Sequence, residues 1–144
     1  MNRLGQAVVA VCLGMCPIAA IGQAAKGGSA SEGSASVERG KYIVEHLALC
    51  GRCHTPHNVA GEASRAEALL GGPLQFQPTY PIANWALVAP RLAGSPPGDA
   101  DDVIKLLTTG IARTGSPPKP PMPNFHMSRS DAASVVAYLK SLPK

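Results

Sequence analysis

The five residues Cys50-Gly51-Arg52-Cys53-His54 constrain this chain more than any other part of it. Two thiols with two residues between them and an imidazole directly after suit a short list of chemistries. The list is a redox dithiol, half of a zinc site, a disulfide, or the covalent attachment point of a haem. The rest of the chain has to decide among them. Its 144 residues and formal charge of +4 leave room for one domain.

The other two cysteines, Cys12 and Cys16, lie in an apolar run from Leu4 to Ile21. Asn2 and Arg3 precede that run and small residues follow it, which is the layout of a secretory signal peptide. Cleavage is expected after Gly22 or Ala24. The alternative is a retained anchor, for which the run is marginal, since a span needs about 20 apolar residues. Val11 precedes Cys12 and Met15 precedes Cys16, whereas a lipid-acceptor cysteine normally follows Gly or Ala. Cleavage leaves Cys50 and Cys53 as the cysteines of the mature chain, so a four-thiolate zinc cage loses half its ligands. It also removes Arg3, leaving twelve basic residues against nine acidic ones, or +3. That charge is too mild and too scattered for a nucleic-acid partner.

Residues 1–24 are therefore read as signal, 25–36 as a Gly/Ser-rich linker and 37–144 as the folded domain. Ser36 is placed to cap a helix over Val37 to Leu49, with Gly40, Ile43, Val44 and Leu47 on one face. Glycine inside a helix costs about 1 kcal/mol relative to alanine, which is understandable if another helix crosses closely at Gly40. Thr55 to Pro97 is rich in Gly and Pro and reads as loops with one short helical turn. So long an irregular stretch is acceptable if it wraps a large apolar ligand. Asp99 to Thr109 reads as a short helix closed by Gly110. Ser128 to Leu142 reads as the longest helix, with Asp131 completing a variant capping box and Ala132, Val135, Val136, Leu139 and Leu142 in one stripe. No alternating strand pattern stands out, so the fold class is all-α.

On this background C-x-x-C-H reads as haem attachment. Each thiol adds to one vinyl group, and the residue after the second cysteine is carried under the iron. Cys50 and Cys53 then hold the macrocycle and His54 is the proximal ligand. A thioredoxin-like dithiol needs a βαβ setting that is missing, and a disulfide leaves the histidine without a reason.

With these residues in view the chain resembles a class I c-type cytochrome of the bacterial monohaem type. The resemblance runs from about Val37 to Pro143 and is carried by ERGKYIVEHLALCGRCHTPHN and PPMPNFHMSRSDAASVVAYLKSLP. It implies a small all-α domain of helices and long loops around one covalent haem c. It also implies that the first and last helices cross at Gly40, with Val44, Val135 and Tyr138 packed there. The family usually adds a methionine as second axial ligand. Met1 and Met15 leave with the signal, so the choice lies between Met122 and Met127. Met122 sits in PPKPPMPNF, where five of the seven residues from Pro117 to Pro123 are proline, and a stiff extended loop presents a weak thioether ligand at low entropic cost. Met127 precedes the cap Ser128 and has a sufficient role as a staple on Ala132. Met122 is the preferred ligand. His46, His57 and His126 are read as structural or solvated, with His126 the nearest rival. Trp85, Arg91 and Tyr80 are candidates for contacts to haem propionates, with ordinary packing or solvation as the alternative for each.

The reading that results is a periplasmic one-electron carrier with His54/Met122 ligation and no substrate at the iron, hence not an enzyme. Its partners would be a donor dehydrogenase or reductase and an acceptor oxidase, met briefly through the thioether edge and Arg52, with a transient membrane-surface contact left open. The alternatives are a gas-binding or sensor haem protein with a displaceable sixth ligand, or a haem subunit docked on a periplasmic dehydrogenase.

Overall fold

The computed structural model describes residues 35–144; the signal and most of the linker read above lie outside them. Four α-helices carry the architecture: α1 (Val37–Tyr42), α2 (Gly51–His54), α3 (Ala100–Thr109) and α4 (Arg129–Ser141). Loops fill the remainder, with one 3-10 turn at Arg65–Glu67 and a two-residue antiparallel ladder between β1 (Gly72–Pro73) and β2 (Val88–Ala89). The all-α expectation holds, with the ladder and an isolated bridge between His57 and Ala63 as the β additions to it among the described residues.

The caps are those the sequence announces. Ser36 Oγ accepts from Arg39 N–H at 3.0 Å and starts α1. Asp99 and Asp102 form a reciprocal capping box on α3, and Gly110 closes that helix at φ +71°. Ser128 Oγ accepts from Asp131 N–H at 3.1 Å on α4. The second half of that expected box is absent. The Asp131 carboxylate instead takes a forked pair of bonds from Arg39, at 2.8 and 3.2 Å, tying α4 to α1. A cation 92 residues away outcompetes the local backbone amide because the charged, bidentate geometry is the stronger one.

The first helix departs from its expected course. After Tyr42 it widens into a π-turn, Ile43–Leu47, with the Ala48 N–H bonding to the Ile43 carbonyl and the Cys50 N–H reaching the Val44 carbonyl. The wider turn keeps Ile43 and Val44 in the core but carries Leu47 past the buried face, so Leu47 is 56% exposed. Leu49 then reverses the chain at φ +51° and delivers Cys50 into α2.

Gly40 is where α1 crosses α4. A Cβ there would overlap the Ser134 carbonyl oxygen and sit 2.8 Å from Tyr138 Cβ, so only glycine fits. The Ser36 N–H donates to Ser134 Oγ at 3.1 Å, and that buried hydroxyl donates to the Ser130 carbonyl at 2.9 Å. Around the crossing, Ile43, Val44, Val103, Leu107, Val135 and Leu139 form the core, joined by Leu69 and Ala93 from the loops. Met127 packs against this core. No helix among the described residues is long and apolar enough to cross a membrane.

Candidate functional site

The short helix α2 brings Cys50, Cys53 and His54 together on one turn. Both thiols are free and half-buried. Burial pushes the Cys50 thiol up to about 11, with the neighbouring Cys53 adding to the effect, so Cys50 remains protonated at neutral pH. Among the described residues no three His, Cys, Asp or Glu side chains converge in a metal-ligand cluster.

His54 is 8% exposed, and its Nδ1 lies 2.8 Å from the Pro90 carbonyl oxygen. Burial holds its pKa below the usual histidine value, partly offset by the bond to Pro90. The neutral ring therefore donates Nδ1–H to Pro90, which leaves the Nε2 lone pair free to act as a donor. The backbone of His54 is fixed as well, since its carbonyl accepts from Gly71 N–H at 2.8 Å. Gly71, at φ +77°, presses against the Ala89–Arg91 segment so closely that a Cβ would lie 2.7 Å from the Ala89 carbonyl oxygen and 2.6 Å from the Arg91 nitrogen. The β1–β2 ladder begins one residue later, pairing Gly72 with Ala89. This small ladder places the Pro90 carbonyl under the imidazole.

Pro90 and Gly71 were not candidates on sequence grounds. A carbonyl acceptor carries no residue signature, and its partner lies 36 positions away.

Met122 is half-buried. Its loop is not a straight proline rod. Met122 N–H bonds back to the Lys119 carbonyl at 3.2 Å, closing a turn in which the Pro120–Pro121 peptide is cis. The Pro120 carbonyl accepts from Ala86 N–H at 2.7 Å, so the 84–87 segment draws the loop into a bend. Met122 shares a cavity of about 670 Å³ with Asn84, Thr114 and Asn124.

Of the three propionate candidates, Trp85 alone keeps a buried donor without a partner. Its indole Nε1 is buried without a partner, and its ring meets Phe76 edge-on at 6.0 Å between centroids. A buried, unpaired N–H is costly, and a bound group offering carboxylate oxygens would satisfy it. Arg91 is spent elsewhere: Nε donates to the Ala93 carbonyl at 2.8 Å and the guanidinium also reaches the Pro143 carbonyl at 3.1 Å. It is neither a free propionate partner nor merely solvated. Tyr80 is 68% exposed. His46 stacks on Tyr42, His57 sits in a backbone bridge with Ala63, and His126 is exposed.

Comparison with known proteins identifies the family. The cytochrome c family profile matches residues 37–143. The chain is 32% identical over 112 residues to a diheme cytochrome c-type protein of Cereibacter sphaeroides, covering 74% of this chain and 35% of that one. It is 32% identical over 117 residues to the cytochrome c subunit of a quinone alcohol dehydrogenase from Gluconobacter oxydans, covering 74% and 24%. It is 29% identical over 115 residues to the cytochrome subunit of fructose dehydrogenase from Gluconobacter japonicus, covering 73% and 22%. The chain thus spans between about a fifth and about a third of the length of these relatives. A family profile over nearly all the described residues, on an all-α domain that carries C-x-x-C-H on α2, leaves one conclusion: the chain belongs to the cytochrome c family, whose members transfer electrons through covalently bound haem c.

Proposed function

We propose that this domain is an exported one-electron carrier that holds a single haem c on Cys50 and Cys53, with His54 and Met122 as axial ligands. The observation that carries the reading is the buried, neutral His54, anchored through Nδ1 to the Pro90 carbonyl with Nε2 left free. Bound there, a haem supplies one-electron chemistry between ferrous and ferric iron. The chain's contribution is attachment, orientation and exclusion of water. Each cysteine S–H adds across a vinyl double bond, sulfur to one carbon and hydrogen to the other, with no net oxidation. The Pro90 carbonyl fixes the imidazole plane and makes Nε2 a better donor. The bend at Lys119–Met122 holds the thioether on a loop with little freedom to leave. The Trp85 N–H would meet a propionate. Residues 1–24 supply the export signal and place the carrier in the periplasm.

A second reading is favoured by the relatives. Two of them are named as cytochrome subunits of dehydrogenases, and this chain is much shorter than either. The carrier is then a haem unit that takes electrons from a periplasmic dehydrogenase and passes them to an acceptor such as an oxidase.

The test begins with the mature protein. Haem that survives acid-acetone extraction and is lost in the Cys50→Ala/Cys53→Ala double variant supports covalent attachment; haem retained by the double variant refutes it. Carbon monoxide should leave the reduced wild-type spectrum unchanged and bind promptly to Met122→Ala. Prompt binding to Met127→Ala with none to Met122→Ala would assign the wrong methionine.

A further inference from the structure

The carbonyl that orients His54 sits on a turn braced from an unexpected direction. It lies 2.8 Å from His54 Nδ1 and belongs to the peptide that joins Pro90 to Arg91. The proline ring fixes φ of Pro90, so the carbonyl swings only through ψ of Pro90, with φ of Arg91 moving in compensation. Whatever holds the Arg91 Cα therefore holds the aim of the carbonyl.

Backbone bonds secure the chain on both sides of that peptide. Before it, the β1–β2 ladder pairs Ala89 with Gly72. After it, Leu92 N–H and Ala93 N–H both donate to the Leu69 carbonyl, at 2.8 and 3.0 Å, and Gly94 N–H donates to the Leu139 carbonyl of α4 at 2.8 Å. At Arg91 itself the side chain adds a tie. Nε donates to the Ala93 carbonyl at 2.8 Å, inside the same turn, and the guanidinium also donates to the Pro143 carbonyl at 3.1 Å. The C-terminal residues press on this turn from the same side, since a Cβ on Gly94 would stand 2.8 Å from the Pro143 carbonyl oxygen and 2.9 Å from Lys144 Cα. A guanidinium pairs most strongly with carboxylates, yet among the described residues none lies within ion-pair distance of Arg91. Its donors go to two backbone carbonyls instead, and its planar fork makes the long side chain a brace between the turn and the C-terminus.

We propose that Arg91 is a positioning residue for the His54 ligand: by tying its own turn to Pro143 it keeps the Pro90 carbonyl aimed at His54 Nδ1, and so sets how strongly Nε2 donates to iron. The proposal deepens the axial-ligand reading and rests on it. A well-aimed carbonyl draws the Nδ1 proton toward itself and leaves more electron density on Nε2. That density favours the ferric state, so a well-held turn keeps the potential low and a loosened one lets it rise. The last two residues of the chain thereby act on the ligand without touching it.

The test compares wild-type holoprotein with Arg91→Ala, Arg91→Lys and, as a control, Gly40→Ala, which loosens the α1–α4 crossing and leaves the Arg91 bonds in place. Redox titration should give a higher potential for Arg91→Ala, part of that shift for Arg91→Lys, and the wild-type value for Gly40→Ala. In nuclear magnetic resonance spectra the His54 Nδ1–H of Arg91→Ala should exchange with water about fivefold faster or more, as its hydrogen bond opens more often. The Lys144 amide, which shares a peptide with the Pro143 carbonyl, should move toward its position in an unstructured chain. An unchanged potential and an unchanged Nδ1–H exchange rate in Arg91→Ala overturn the proposal. So does an equal rise in Gly40→Ala, which would trace the shift to general loosening of the fold. The wild-type spectrum separates this claim from the one beneath it. In the ferric protein the unpaired electron displaces the ring protons of an axial histidine far from their ordinary positions. His54 ring protons at ordinary positions would refute the ligand assignment itself. Displaced protons with no response to Arg91→Ala would refute the positioning role and leave the assignment standing.

Discussion

Replacing Gly40 with alanine adds one methyl group at the tightest point of the fold. The new carbon would overlap the Ser134 carbonyl oxygen and stand 2.8 Å from Tyr138 Cβ, whereas ordinary contacts begin near 3.4 Å. The helices must therefore part by roughly an ångström. The Ser36–Ser134 bond, at 3.1 Å, then stretches beyond hydrogen-bonding range, and a buried bond of this kind is worth about 1 kcal/mol. Forcing extra volume into a packed contact costs about 1–3 kcal/mol more. Alanine's better helix propensity returns about 1 kcal/mol. The net expectation is a loss of about 2 kcal/mol, read from urea denaturation of the holoprotein. Lys41→Ala on the exposed side of α1 serves as control and should stay within about 0.5 kcal/mol of wild type. A Gly40→Ala protein as stable as wild type, or more so, would refute the close crossing.

Arg91→Ala removes the staple between the Pro90 turn and the C-terminus. It should cost about 1–2 kcal/mol and expose the last residues to carboxypeptidase, with Arg91→Lys restoring only part because a single ammonium cannot reproduce the fork. The Arg39–Asp131 pair holds the Asp131 carboxyl below its ordinary value of 3.8, chiefly through the hydrogen bond from Arg39. A depressed carboxyl pKa contributes stability that is present above 3.8 and lost as the pH falls through the lower folded value. Asp131→Asn should thus be less stable than wild type near neutrality, by less than about 1 kcal/mol for so exposed a pair, and the gap should close in acid denaturation. A gap that persists under strong acid would assign it to something other than charge. Trp85→Phe keeps the contact with Phe76 and removes the unpaired N–H. If that N–H meets a propionate, the variant's haem should reduce at a shifted potential; an unchanged potential would remove Trp85 from the cofactor's surroundings.

Residues whose effects are local could be read directly from the chain. The C-x-x-C-H turn, the caps Ser36, Asp99 and Ser128, and the closing glycine Gly110 each act within four or five residues, so their meaning is carried by neighbours in sequence. Gly40 could be read as well, because an unexplained glycine in a helix points to a close approach. The local rules failed where a distant group competed. Asp131 had a backbone amide three residues away and chose Arg39 instead. Arg91 reaches the Pro143 carbonyl, 52 residues on, a contact no local rule announces. The π-turn at Ile43–Leu47 took Leu47 off a face that helical spacing had assigned to it.

The sequence alone therefore determined the type of fold, the helix caps and the grouping of Cys50, Cys53 and His54 on one turn, because those depend on side-chain type and short-range spacing. The tertiary structure decided what holds His54 in orientation, which buried donor is left unpaired, and what ties the Pro90 turn to the C-terminus. Those properties belong to carbonyls, amides and charges that have no residue signature and meet only after the Pro90 turn, the Trp85 segment and the C-terminal residues have been folded around α2.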